Sequence, residues 1–197
     1  NIRILGWESK GLRCPDMELD LDKKKRINFI QMPNGTGKTT LITLIKNTLS
    51  NNWVKDEIVE FADSQSDKSQ NGQFKLSIST DFGKVKDKIT FKVDFDFVNE
   101  SCTVRTTTNN DGESTGFKPN ESIKPFLTNN HVNTFLFSGD ELGKYFNNSS
   151  NTVKDTIDTF SGITKIQNLS DDIDITFKTM KRGLIGGELD KLRKKES

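Results

Sequence analysis

Apolar side chains alternate with polar ones through Phe74, Leu76 and Ile78, and again through Ile89, Phe91, Val93, Phe95 and Phe97. A period of two puts every second residue on one face. Residues 73–107, with Val104 and its threonine neighbours, therefore read as an antiparallel meander with one wet face. Such an aromatic stripe could stack on nucleic-acid bases, but strict in-out alternation favours a sheet core. Met17, Leu19 and Leu21 alternate with Glu18, Asp20 and Asp22 in the same way. Ile2, Ile4, Leu5 and Trp7 predict an opening strand over Asn1–Trp7, followed by a polar turn from Glu8 to Asp16. Shorter apolar runs predict further strands at Ile27–Ile30, Glu57–Ala62 and Val132–Phe137. Asp63–Gly72 is polar and reads as a flexible excursion. Asn109–Gly112 reads as a turn, Ser114–Asn120 as a loop and Ile123–Leu127 as a short helix.

Elsewhere the period lengthens. Leu41, Ile42, Leu44, Ile45 and Leu49 mark a helix, and Val153, Ile157 and Phe160 share one helical face before Gly162 interrupts. Ile163, Ile166, Leu169, Ile173, Phe177 and Met180 follow at spacings of three, three, four, four and three. That is an amphipathic helix of about five turns. Gly183–Gly187 breaks it, and Glu188–Ser197 restarts with Leu189 and Leu192 at a coiled-coil spacing.

Between the run at 27–30 and the first helix lies Gln31-Met32-Pro33-Asn34-Gly35-Thr36-Gly37-Lys38-Thr39-Thr40. An apolar strand, a glycine-rich turn, Gly-Lys-Thr and a helix together are the context of a phosphate-binding loop. Gly35 and Gly37 can take dihedrals closed to other residues, so that successive N–H groups of Asn34, Gly35, Thr36, Gly37, Lys38, Thr39 and Thr40 converge on an anion. Lys38 is the catalytic candidate, reaching the β- and γ-phosphates, and the Thr39 hydroxyl is the Mg²⁺ ligand. The helix aims its positive end at the same anion. The general pattern places a glycine where Met32 stands. That glycine serves mainly the turn out of the strand, and the cradle from Asn34 to Thr40 is intact. A nucleoside triphosphate, ATP with Mg²⁺, is the expected ligand.

Bulk properties narrow the setting. The 197 residues carry 29 basic and 28 acidic side chains, which gives no general signal for nucleic acid. The balance is uneven, with nine Lys/Arg against five Asp/Glu in residues 1–50, six against two in 181–195, and three against seven in 138–175. That pattern fits either a basic face for DNA or solvated loops. No window reaches the roughly eighteen apolar residues of a membrane span, and the N-terminus is no signal peptide. Cys14 and Cys102 are far apart and His131 is the sole histidine, so zinc is not expected and a reducing cytoplasm is. Both cysteines read as half-buried packing residues and His131 as a loop residue.

Taken together, the opening strand and turn through Arg13, the Pro33–Thr39 loop, the β-rich insert, the 132–137 segment and the long exit helix resemble the N-terminal head half of an SMC-like (structural maintenance of chromosomes) ATPase, a branch of the ABC superfamily. The resemblance covers nearly the whole chain. Pro-Asn-Gly-x-Gly-Lys-[Ser/Thr] is the loop form typical of ABC and SMC ATPases. Phe135-Leu136-Phe137-Ser138-Gly139-Asp140-Glu141 is similar to the elbow, or Q-loop, of DNA-repair and of DndD- or Lamassu-type defence ATPases.

The implied fold is α/β, a P-loop NTPase of ABC/SMC type: lobe I with a mixed sheet, an antiparallel β insert and a long C-terminal helix leading toward a coiled coil. Residues 1–182 would be the lobe and 183–197 a hinge with the start of a coiled coil or linker. Arg13 would lie beside the nucleotide, as a phosphate contact or a surface arginine. Ser138 stands where the family has its glutamine, and Asp140 is either a Mg²⁺ ligand or an acidic helix start.

No Leu-Ser-Gly-Gly-type signature and no Walker B strand are present, and in SMC proteins both lie beyond the coiled coil. The resemblance thus implies lobe I of a longer protein, hydrolysing ATP only when completed by its own C-terminal half. It further implies heads paired across ATP, action on DNA in bacterial genome maintenance or anti-phage or anti-plasmid defence, accessory nuclease or defence subunits, and no membrane partner. Lys23–Arg26 and the lysines at 191–195 are the DNA candidates. The alternatives are a non-hydrolysing ATP-dependent scaffold and a transporter-type ABC nucleotide-binding domain. A self-contained kinase or GTPase suits the antiparallel meander least.

Overall fold

The alternation of period two becomes the centre of a six-stranded sheet in the computed structural model. The structure describes residues 2–63, 70–81, 86–109, 111–138 and 169–179. In chain order the strands are β1 (Ile2–Lys10), β2 (Met17–Asp20), β3 (Asn71–Asp81), β4 (Lys86–Asp96), β5 (Ser101–Thr108) and β6 (Gly112–Thr115). Among the described residues up to 138 the helices are α1 (Lys38–Ser50) and α2 (Asn129–Phe135), with 3₁₀ turns at Lys55–Phe61 and Lys124–Phe126. Sheet order is β2-β1-β3-β4-β5-β6, and every pairing is antiparallel. The meander expected over 73–107 is thus present as β3, β4 and β5. The mixed sheet expected for the head half has no parallel pair among the described strands.

One face of the sheet carries the core. Phe74, Leu76 and Ile78 of β3 and Ile89, Phe91 and Val93 of β4 are fully buried. Helix α1 lays Leu41, Leu44, Ile45 and Leu49 on them, and Ile58, Phe61, Ile123, Leu127 and Val132 close the edges. A fully buried aliphatic or aromatic side chain is worth roughly 1.5–3 kcal/mol, so the four from α1 fix that helix firmly. In β1 the register shifts between Ile4 and Gly6, because Ile4 faces Ile78 while Gly6 faces Ser77. The extra residue at Leu5 lets Ile4 and Trp7, three positions apart, both lie opposite core residues of β3.

Several expectations are corrected. Strand β1 runs to Lys10, so the turn is shorter than residues 8–16. Ile27–Ile30 forms no strand; Ile27 and Phe29 are 84% and 88% exposed. An apolar run becomes a strand only where a neighbour completes its ladder, and no described strand borders this one. Glu57–Ala62 is instead the 3₁₀ turn Lys55–Phe61, in which Ile58 and Phe61 are buried three residues apart, the period of that helix. Only Ala62 makes a bridge, to Leu12.

Val132–Phe137 is likewise not a strand. Its first part belongs to α2, started by Thr128, whose side chain accepts from the His131 N–H. That cap outweighs the β-preference of Val132 and Phe135, and it places His131 in a helical turn rather than a loop. Cys14 is buried rather than half-buried, and Cys102 is intermediate.

The chain divides into two compact units, Asn1–Leu142 and Gly143–Ser197. In the second, residues 169–179 are helical, as the spacing predicts, and Leu169, Ile173 and Phe177 are exposed. The rest of the exit helix, the 183–187 break and the expected coiled-coil start lie outside the described residues.

The turn joining β4 to β5 is built on one carboxylate. Asp96 accepts from the backbone N–H of Val98 and Asn99 at 3.1 and 3.0 Å and from the Asn99 amide at 2.7 Å. These bonds, the Asn99 side chain foremost, hold its pKa below the ordinary 3.8. A lowered folded-state pKa means that the ionised form supports the fold above the unfolded value and loses that support as pH falls through the folded one. An Asp96→Ala variant is therefore expected to be less stable than the parent at neutral pH. The two should converge as denaturation curves are taken progressively below pH 3.8.

Candidate functional site

Two glycines shape the loop ahead of α1. Gly35 and Gly37 both have φ of 81°, in the left-handed region that other residues rarely enter. Around Gly35 there is open space, so only its dihedral requires glycine. Gly37 is also sterically constrained, because an ideal Cβ there would overlap the Arg13 carbonyl oxygen and lie 2.9 Å from Cys14 Cα. Loop and turn are thus in backbone contact.

The turn is pinned from several sides. Arg13 N–H donates to the Phe61 carbonyl at 2.8 Å, Ser9 Oγ to the Pro15 carbonyl at 2.7 Å, and Gly11 N–H to Asp16 Oδ1 at 2.7 Å. Arg13 itself is exposed. Burial pushes the Cys14 thiol above its ordinary 9.0, with a hydrogen bond to Ser9 opposing and the charge of Asp16 adding to the rise. Cys14 is therefore a protonated packing group beneath the loop.

Within the loop, Thr36 Oγ1 donates to the Pro33 carbonyl at 2.8 Å. Lys38 folds back over it. Its Nζ donates to the carbonyls of Met32 and Pro33 at 3.0 and 3.1 Å and to Asn34 Oδ1 at 2.9 Å. Those three acceptors are uncharged, so none of them neutralises the ammonium, which stays available to an anion. Helix α1 begins at once, its first bond running from Leu41 N–H to the Gly37 carbonyl at 2.8 Å. The N–H groups of Lys38, Thr39 and Thr40 precede that bond and have no partner inside the helix. No side chain caps this end and no acidic residue lies in the first turn, so its partial positive charge is uncompensated within the helix.

Beside Thr39 opens a polar recess of about 240 Å³ between α1 and α2, lined by Thr39, Thr43, Lys46, Asn129, Asn133 and Ser138 among others. The structure thus sets the Arg13 backbone against Gly37 and lines one recess with Thr39 and Ser138. Asp140 and Glu141 lie outside the described residues. Thr39 and Ser138 offer neutral oxygens, and no group of three His, Cys, Asp or Glu gathers among the described residues. This donor set fits a Mg²⁺ that takes most of its ligands from phosphates and water, not an ion caged by protein. Asn129 and Asn133 were not anticipated, because reading 132–137 as a strand hid their i, i+4 spacing. The chain matches no family model and no curated protein.

The two glycines are expected to differ under substitution. Gly35→Ala should lower stability by about 1–2 kcal/mol, the strain of a left-handed residue with a side chain. Gly37→Ala should lose a further 1–3 kcal/mol or so from overlap with the Arg13 backbone. Urea midpoints of the two variants check the order.

Proposed function

We propose that the loop from Asn34 to Thr40 binds the phosphates of ATP with Mg²⁺, and that the chain is the ATP-binding head half of an SMC-like ATPase. The observation that carries this reading is the loop itself. Two left-handed glycines open it, Lys38 arches over it on neutral oxygens, and an uncapped helix start follows. In the proposed complex the N–H groups from Gly35 to Thr40 grip the phosphates. Lys38 leaves the loop carbonyls for the β- and γ-oxygens, and the Thr39 hydroxyl takes a metal position. The metal supplies charge neutralisation between the phosphates. Arg13, whose backbone touches Gly37, is proposed as a further contact to the same anion.

The exposed run before the loop supports a further lobe. Ile27 and Phe29 stand in solvent, with Phe135 and Phe137 exposed as well. Apolar side chains this bare, next to a site that needs rigid support, suit a surface that additional strands cover, here proposed as the protein's own C-terminal half. That half would bring signature and Walker B residues, and heads paired across ATP would act on DNA. Lys23, Lys24, Lys25 and Arg26, all exposed, are the proposed phosphate contacts to DNA, sequence-independent and salt-sensitive.

Lys38→Ala is expected to weaken ATP binding by about 10- to 100-fold, the loss of one charge-assisted contact of roughly 1.5–3 kcal/mol. Calorimetric titration of both proteins measures it, and equal affinity would remove the phosphate-loop reading. ATP turnover by the completed protein with its partners, with and without linear and circular DNA, tests the rest. Stimulation by DNA that disappears with Lys38→Ala is the expected result.

A further inference from the structure

The recess beside Thr39 is polar where two packed helices would ordinarily interlock apolar side chains. Thr39 and Thr43 of α1 sit at i and i+4, Asn129 and Asn133 of α2 have the same spacing, and Ser138 and Lys46 are among the other residues of the wall. Its 240 Å³ is many times the space one water needs, and its lining is rich in hydrogen-bonding groups, so it is a place for ordered water rather than a dry gap. Mg²⁺ requires near-octahedral ligands at about 2.0–2.1 Å and sheds water reluctantly. Side chains across so wide a recess would therefore meet it through its waters. Metal-bound waters are strong donors, and the wall must accept from them. Asn133 commits its amide Nδ2 to Asn129 Oδ1 at 2.9 Å, which leaves its own Oδ1 as the acceptor end of that amide.

Resting on the ATP reading above, we propose that Asn133 is a positioning residue. Its Oδ1, with Asn129 fixing its orientation and Ser138 beside it, orders the water shell of the Mg²⁺ that Thr39 and the nucleotide hold. This assigns to an amide on α2 the orienting task that a carboxylate would perform more tightly. Outer-shell partners of this kind change metal affinity about 10- to 100-fold when removed.

The test is calorimetric titration of ATP into the full chain, in EDTA and across a Mg²⁺ series, for the parent, Asn133→Ala and Asn133→Asp. The expected result in EDTA is unchanged ATP affinity for Asn133→Ala and a weaker one for Asn133→Asp, whose carboxylate then faces the phosphates with no metal between. The Mg²⁺ concentration for half-maximal enhancement should rise about tenfold in Asn133→Ala and fall in Asn133→Asp, to whose carboxylate the Asn129 amide can donate once its NH₂ end is turned inward. A Mg²⁺ dependence identical to the parent in both variants overturns the inference. So does an equal loss of binding with and without metal, which would mark Asn133 as a structural support of α2. Absence of ATP binding by the parent in every condition would overturn the phosphate-loop reading itself, and this inference with it. The EDTA arm keeps those failures apart.

Discussion

The close approach of Gly37 to the Arg13–Cys14 turn fixes the geometry of the whole candidate site. A helix end can direct its N–H groups at a ligand only if the helix neither slides nor tilts. Leu41, Leu44, Ile45 and Leu49 hold α1 against the sheet, and the backbone contact at Gly37 sets where along that face it begins. The turn is held in its own right by the Arg13–Phe61 bond and the Leu12–Ala62 bridge. The loop from Pro33 to Gly37 is therefore suspended between a buried helix and a braced turn. Its remaining freedom is taken up by Thr36 and Lys38 bonding to the loop's own oxygens.

The opposite face of the sheet shows what an unspecialised surface looks like here. One register row crosses Glu18, Glu8, Lys75, Lys92 and Arg105 on five adjacent strands. Like charges directly opposite one another are unfavourable, yet Lys75 pairs with Glu8 at 3.5 Å and Arg105 with Asp94 at 3.1 Å. Each exposed pair contributes less than about 1 kcal/mol. Their service is to neutralise the row, and they leave little surplus charge for a ligand. The loop differs because its one cation rests on uncharged oxygens.

How much of this was legible in the sequence depends on whether a segment's partners are close in the chain. The meander was legible because Phe74 to Phe95 alternate under the control of neighbours one hairpin away. So was the loop, since Gly35, Gly37, Lys38 and α1 are contiguous and the dihedrals follow from residue type. Three strand readings failed for different reasons. At 55–61 the buried pair Ile58 and Phe61 obeys a period of three that a six-residue window cannot distinguish from strand. At 129–135 a single capping threonine, Thr128, decides the conformation against the β-preference of the residues after it. The recess was invisible because its lining joins residues such as Thr39 and Asn133, 94 positions apart on two different helices.

The third failure, at Ile27–Ile30, carries the most structural information. Those four residues have the chemistry of a strand and lack only a ladder to join. Leaving Ile27 and Phe29 in water forgoes about 1.5–3 kcal/mol for each side chain relative to burial. The same run leads directly into Pro33, so anything that pairs with it also immobilises the loop from the side that α1 does not reach. Covering strand and loop support are thus one event. A partner strand added along 27–30 would bury the two bare side chains and stiffen the approach to Gly35 together, which would couple assembly of the proposed head to the phosphate binding proposed for the loop. The coupling needs no contact between the added strand and the ligand, only the continuity of backbone from Phe29 to Asn34.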